Sequence, residues 1–150
     1  MLKLSRKTLL ALEAVIDIAF NARPEPVQAK EITARQGVPQ RYLEQVMQQL
    51  VRAGILKGVR GPRGGYRLAK ERRRISVGEI VRVAESIDGG ETEAAAPHSD
   101  LGARIVTPMI ASLQDEVMKR LDGISIEDLC QQARTAGVDC GGANTADFTI

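Results

Sequence analysis

The chain has little of what enzymes and cofactor sites are usually built from. Its 150 residues include one histidine, His98, and two cysteines, Cys130 and Cys140. One imidazole without thiolate neighbours makes a poor metal site, so His98 reads as a solvated loop residue. No Ser/His/Asp arrangement and no metal-ligand spacing stands out, which argues against catalysis. Two cysteines are too few for a disulfide scaffold. Aromatics are 3% and tryptophan is absent, so the core must come from Leu, Ile, Val, Ala and Met. No apolar run approaches the length of a membrane span. The most apolar stretch, "LLALEAVIDIAF", is interrupted by Glu13 and Asp17 and reads as neither signal peptide nor spanning helix. A cytoplasmic location is the expectation.

Charge is present but unevenly placed. Residues 1–75 hold 16 of the 21 Lys/Arg and 6 of the 19 Asp/Glu, a balance of +10; residues 76–150 hold 5 and 13, a balance of −8. A basic half joined to an acidic half suggests a polyanion-binding part and a separate part for regulation or assembly.

The periodicity predicts a mainly helical chain with one small β-hairpin. "SRKTLLALEAVIDIAFNA" is the first helix, capped by Ser5, with Leu9, Leu12, Val15 or Ile16, and Ala19 at helical spacing. "AKEITARQ" is the second, ended by Gly37. The third runs from Pro39, which suits a first helical turn, to Gly54. Two helices separated by one tight turn form a helix-turn-helix. In the third helix Leu43, Val46, Met47 and Leu50 share one face. Arg41, Gln45, Gln48 and Arg52 form a stripe opposite, with no acidic member, although Glu44 lies beside it. Arg and Gln are the side chains that read guanine and adenine edges in a major groove.

"ILKGV" and "GYRLA" read as strands around the tip of "RGPRGGYRLAK". A phosphate-binding loop needs G-K-[ST] followed by a helix, and this stretch has neither, which excludes a nucleotide switch of that kind. Tyr66 and Leu68 alternate with Arg67 and are expected to anchor the return strand, leaving Lys70 to solvent. "ISVGEIVRVAESIDGG" is a helix with a Ser76/Glu79 capping box, closed by Gly89-Gly90. Three helices, a hairpin and a helix make a winged helix-turn-helix domain over residues 1–88. Residues 89–103 read as an acidic loop. A long helix over 104–123 follows, with Pro108 in its first turn. Val106, Ile110, Leu113, Val117 and Leu121 give it a near-heptad stripe that calls for a partner; a symmetric dimer is the simplest one. Residues 124–150 hold a short helix, capped by Ser125 and ended by Gly137, and a loosely structured tail.

"YLEQVMQQLVRAGILKGVRGPRGGYRLAK" followed by "ISVGEIVRVAESID" closely resembles the Rrf2 family of bacterial transcription regulators, which includes iron–sulfur, nitric-oxide and cysteine-metabolism regulators. The "YLEQ" helix, the "VRGP-GGY-L" wing and the later "GISIEDL" match in order, over roughly residues 1–130. The resemblance implies a homodimer whose long helix crosses to the partner. It also implies DNA contacts by Gln40, Arg41, Tyr42, Gln45, Arg60, Gly61, Pro62 and Arg63, with Glu44 at an acidic position that in relatives screens against some bases. Gln40-Arg41 replaces small hydroxyl-bearing types and Arg63 a common glycine, so an operator preference does not carry over. The family's cluster-binding members have three cysteines in the loop before the long helix. This loop has none, so an iron–sulfur cluster at that place is not expected, and no other cofactor is expected.

The functional expectation is a sequence-specific dimeric repressor of double-stranded DNA. Its third helix would enter the major groove and its wing arginines the minor groove. Lys3, Arg6, Lys7, Lys57 and Arg67 are the expected phosphate contacts. Its operator would be roughly palindromic, with half-sites one or more turns of about 34 Å apart. The signal is open between thiol oxidation at Cys130 and Cys140, a small molecule or protein acting near the long helix, and no effector. The rival readings of Cys130 and Cys140 are a buried helical residue and an incidental tail residue. The rival reading of the whole is a winged module that binds protein instead of DNA.

Overall fold

The computed structural model describes residues 4–21, 24–87 and 99–138. Helix α1 spans Arg6–Phe20 and is capped by the Ser5 hydroxyl, which accepts from the Thr8 amide at 3.2 Å. Its buried face is Leu10, Ala11, Ala14, Val15, Ile18 and Ala19. Leu9, expected in that stripe, is 47% exposed, and Leu12 and Ile16 are half-buried. Alanines at positions 11, 14 and 19 let a neighbouring helix approach closely, which turns the buried arc away from the larger side chains.

Helix α2 (Ala29–Gln36) ends at Gly37, whose φ of +67° favours glycine, and α3 (Gln40–Arg52) begins after two intervening residues, Val38 and Pro39. Pro39 occupies the cap position with an extended backbone, just outside the first helical turn. Leu43, Val46, Met47 and Leu50 of α3 are all fully buried, as their spacing predicts.

Strands β1 (Leu56–Val59) and β2 (Gly65–Leu68) form an antiparallel hairpin with Leu56 opposite Leu68 and Lys57 opposite Arg67. The far edge of β2 is paired as well. Val27, in the connection between α1 and α2, exchanges two backbone hydrogen bonds with Tyr66, at 3.0 and 2.8 Å. That approach requires Gly65, where a Cβ would stand 2.3 Å from the Val27 carbonyl oxygen. Tyr66 and Leu68 pack on the core as their alternation with Arg67 predicts.

After a short 3-10 turn at Arg72–Arg74, α4 (Val77–Ile87) starts with the expected capping box. The Glu79 amide donates to the Ser76 hydroxyl at 3.1 Å and the Ser76 amide to the Glu79 carboxylate at 3.3 Å. The second Glu79 oxygen binds Lys70 at 2.5 Å, so Lys70 is ion-paired instead of simply solvated. Gly89 and Gly90 lie outside the described residues. Helix α4 packs against α1 and α3.

A helical stretch from Asp100 passes through a π turn at Gly102–Val106 into the long helix α5 (Thr107–Asp122). The expected loop thus becomes helical four residues early. The π turn has a cause. Pro108 lacks an N–H and its ring would crowd the carbonyl of Arg104 in a tight α turn, and the wider turn relieves this. Of the predicted stripe, Val106, Leu113 and Val117 are exposed, while Ile110 and Leu121 are half-buried.

Helix α6 (Ile126–Thr135) returns to the winged part. Ser125 caps it through a reciprocal pair with Asp128, at 3.0 and 3.1 Å. Ile126 and Cys130 enter the same core as α1 and α3. The Val77 amide donates to Ile124, the Ile126 amide donates to Ile75, and Arg72 is paired with Glu127. The architecture is mainly helical with one two-stranded hairpin, a winged helix-turn-helix carrying a long helix. No helix among the described residues is long and apolar enough to cross a membrane.

Candidate nucleic-acid interface

Burial of the apolar face of α3 fixes the opposite face outward. Arg41, Gln45, Gln48 and Arg52 are consequently all exposed along one side of the molecule. Gln40 is exposed too, and its amide donates to Glu44 at 3.0 Å. Tyr42 is half-buried. It lines a groove of about 620 Å³ with Leu9, Val38, Pro39 and Arg6, which sets Arg6 beside the N-terminal end of α3.

The hairpin stands next to this face. A cleft of about 350 Å³ separates α3 from the wing, lined by Ala29, Glu44, Gly58, Val59, Arg60, Gly64, Gly65 and Tyr66. Glu44 and Arg60 therefore meet at one cleft although sixteen positions apart in sequence. Burial raises the Tyr66 phenol above its ordinary pKa, and the Glu44 charge adds to the shift, so Tyr66 is a neutral hydroxyl at physiological pH.

The tip, Arg60 to Arg63, is exposed. Gly61 has a φ of +112°, and a Cβ on Gly64 would stand 2.2 Å from the Val59 carbonyl oxygen. The tip is thus a tight backbone turn with only Pro62 and two arginines projecting. Lys57 and Arg67 are directly opposed and exposed. Like charges so placed repel, and Arg67 relieves this partly by donating to the Pro24 carbonyl. Lys3 lies outside the described residues, and Lys7 is half-buried on α1.

Two elements of this surface have no signal in the α3 and wing sequences. Val27 edges the wing, with only its β-branched side chain after a proline to mark it. Arg35 of α2 donates to Asp17 of α1 through Nε and Nη2, at 2.8 and 2.6 Å, and Gln36 reaches the same carboxylate at 3.3 Å. This pair locks the helix-turn-helix onto α1, and it holds the Arg35 guanidinium above its ordinary pKa.

Cys130 lies on α6 and not on this face. Cys130 is fully buried, and burial pushes its thiol above the ordinary value. Cys140 and His98 lie outside the described residues. Among the described residues no three His, Cys, Asp or Glu side chains gather to hold a metal.

Comparison with known proteins follows the same outline. Residues 4–132 match a family model described as Rrf2, iron-dependent transcriptional regulator. The chain is 36% identical over 130 residues to the HTH-type transcriptional regulator IscR of Aliivibrio salmonicida, covering 85% of this chain and 77% of that protein. Among solved structures it resembles the IscR of T. potens, with a TM-score of 0.73 and 33% identity over 92% of this chain and 93% of the other. It also resembles CymR, the global cysteine regulator of B. subtilis, with a TM-score of 0.71 and 31% identity over 88% and 98%.

Proposed function

Given that the chain belongs to the Rrf2 family of DNA-binding transcription regulators, we propose that it works as a cytoplasmic homodimer that represses transcription from a roughly palindromic operator. Its relatives are regulators and not enzymes. The observation that carries the reading is the exposed, non-acidic stripe of α3 standing beside the arginine-tipped wing.

In this reading α3 lies in the major groove. Arg41 and Gln45 contact base edges, Gln40 and Tyr42 flank them, and Glu44 disfavours bases that present only acceptors there. Arg60 and Arg63 reach the minor groove, where a narrow groove concentrates negative potential. Gly61 and Pro62 allow the backbone to come close. Lys3, Arg6, Lys7, Lys57 and Arg67 add phosphate contacts, which supply affinity without sequence information. The half-exposed stripe of Val106, Ile110, Leu113, Val117 and Leu121 pairs with a second copy.

The family description names iron, and the residues here do not fit a thiolate-held iron site. Of the two cysteines one is buried in α6, and neither precedes the long helix. The buried, protonated Cys130 also weighs against a thiol switch with Cys140. We therefore propose a small molecule or a protein acting near α5 as the signal. Such an effector must bind the DNA-competent and DNA-incompetent states differently.

The test is selection of bound duplexes from a random pool, followed by titration of the selected site against salt. A single inverted-repeat consensus and a steep salt dependence are expected. Sequence-independent binding, or a flat salt response, would refute the reading.

A further inference from the structure

Helix α5 projects its apolar stripe away from the winged core, and it meets that core through α4. Arg82 of α4 binds Asp122, the last residue of α5, through two parallel hydrogen bonds of 2.7 Å each. The Asp122 carboxylate sits directly over Gly78, one turn earlier on α4, where a Cβ would stand 2.0 Å from Oδ1. Gly78 is buried. Among the described residues, Arg82–Asp122 is the ion pair that reaches the long helix. An exposed ion pair adds little to stability. A bidentate one fixes direction.

We propose that Gly78, Arg82 and Asp122 form the joint that sets the angle between the long helix and the reading head. It thereby selects the spacing between the two half-sites of the operator. The proposal rests on the dimeric reading above. Core packing joins α4 to α3 and α1, so the orientation of α3 follows that of α4. With two copies paired through α5, the separation and rotation of the two α3 helices depend on how α5 leaves α4. One added base pair moves the second half-site by about 3.4 Å and turns it by about 35°. A rigid joint penalises that displacement, and a loose one accommodates it. Arg82 and Asp122 are positioning residues and touch no base.

Gly78→Ala is the sharpest probe. Its new methyl group meets the Asp122 carboxylate and stands 3.1 Å from the Asp122 backbone nitrogen, so the side chain must swing away and the end of α5 must give by a few tenths of an ångström, which opens the clamp. Arg82→Gln is the second variant, should the first fold poorly. Three quantities are measured for wild type and variants: oligomeric state, affinity for a single half-site, and relative affinity for palindromes with spacings changed by one base pair. The dimer and the half-site affinity should be unchanged, while discrimination between spacings falls by about threefold or more. In an Asp122→Ala background, Gly78→Ala should have a clearly smaller effect on spacing than in the wild type, because only its contact with the backbone nitrogen of residue 122 remains. Unaltered spacing discrimination in both single variants overturns the joint and leaves the dimeric reading standing. A monomeric wild type overturns both.

Discussion

Arg35 on α2 grips Asp17 on α1 with two hydrogen bonds, and the Asp17 side chain is only 4% exposed. Helix-turn-helix units need their first helix held against a scaffold, and here the hold is ionic. Removing Arg35 leaves a buried carboxylate with only amide partners. Arg35→Met should lower stability by about 2–4 kcal/mol, read from denaturant unfolding. A loss under about 0.5 kcal/mol would mean that water replaces the guanidinium without difficulty.

The wing depends on a backbone approach that no side chain can share. Gly65→Ala forces a Cβ against the Val27 carbonyl and should destabilise by about 1–3 kcal/mol. Gly58→Ala, on the paired strand with open space around it, is the control and should change little. Equal melting temperatures for the two variants would contradict the Val27–Tyr66 pairing.

Arg41 is exposed at the head of the polar stripe of α3. Arg41→Ala should weaken binding to the selected operator by about 1–3 kcal/mol and relax the preference at one position. An equal loss on all sequences would assign Arg41 to a phosphate.

Leu113 and Val117 are exposed one helical turn apart on α5. Leu113→Glu with Val117→Glu should convert a dimer into monomers in sedimentation. The circular dichroism of the helices should stay intact, because neither side chain belongs to the protomer's core. A persisting dimer would place the interface elsewhere.

Cys130 combines full burial with a thiol pKa displaced upward. The thiolate is the reactive form, so Cys130 should react with disulfide reagents far more slowly in the native protein than after unfolding. Parallel rates in both states would reopen oxidation as a signal.

Local signals were strong where the reading succeeded. The Ser5, Ser76 and Ser125 caps, the Gly37 turn and the α3 face are each written within a few residues, because caps and faces depend on near neighbours. The face of α1 is only partly legible: Val15 and Ala19 are buried as their spacing predicts, whereas Leu9 is exposed, because the alanines carry as much packing as the leucines and a count of large side chains passes over them. The wing's third pairing was hidden because one residue, Val27, has no alternation to show. The surroundings of Glu44 needed the fold, which brings Arg60 and Tyr66 to it.

By itself, the sequence determined the order of elements, the polarity of α3 and the position of the wing, since these follow from periodicity, capping and turn chemistry acting over a few residues. Only the tertiary structure decided that α6 returns to complete the core, that Cys130 is sealed within it, and that α1, α2, α4 and α5 are tied by Asp17–Arg35 and Arg82–Asp122. Those two pairs join residues 18 and 40 positions apart. Each member is an ordinary charged residue in its own segment. Its role arises only when chain folding brings the opposite charge within hydrogen-bond reach.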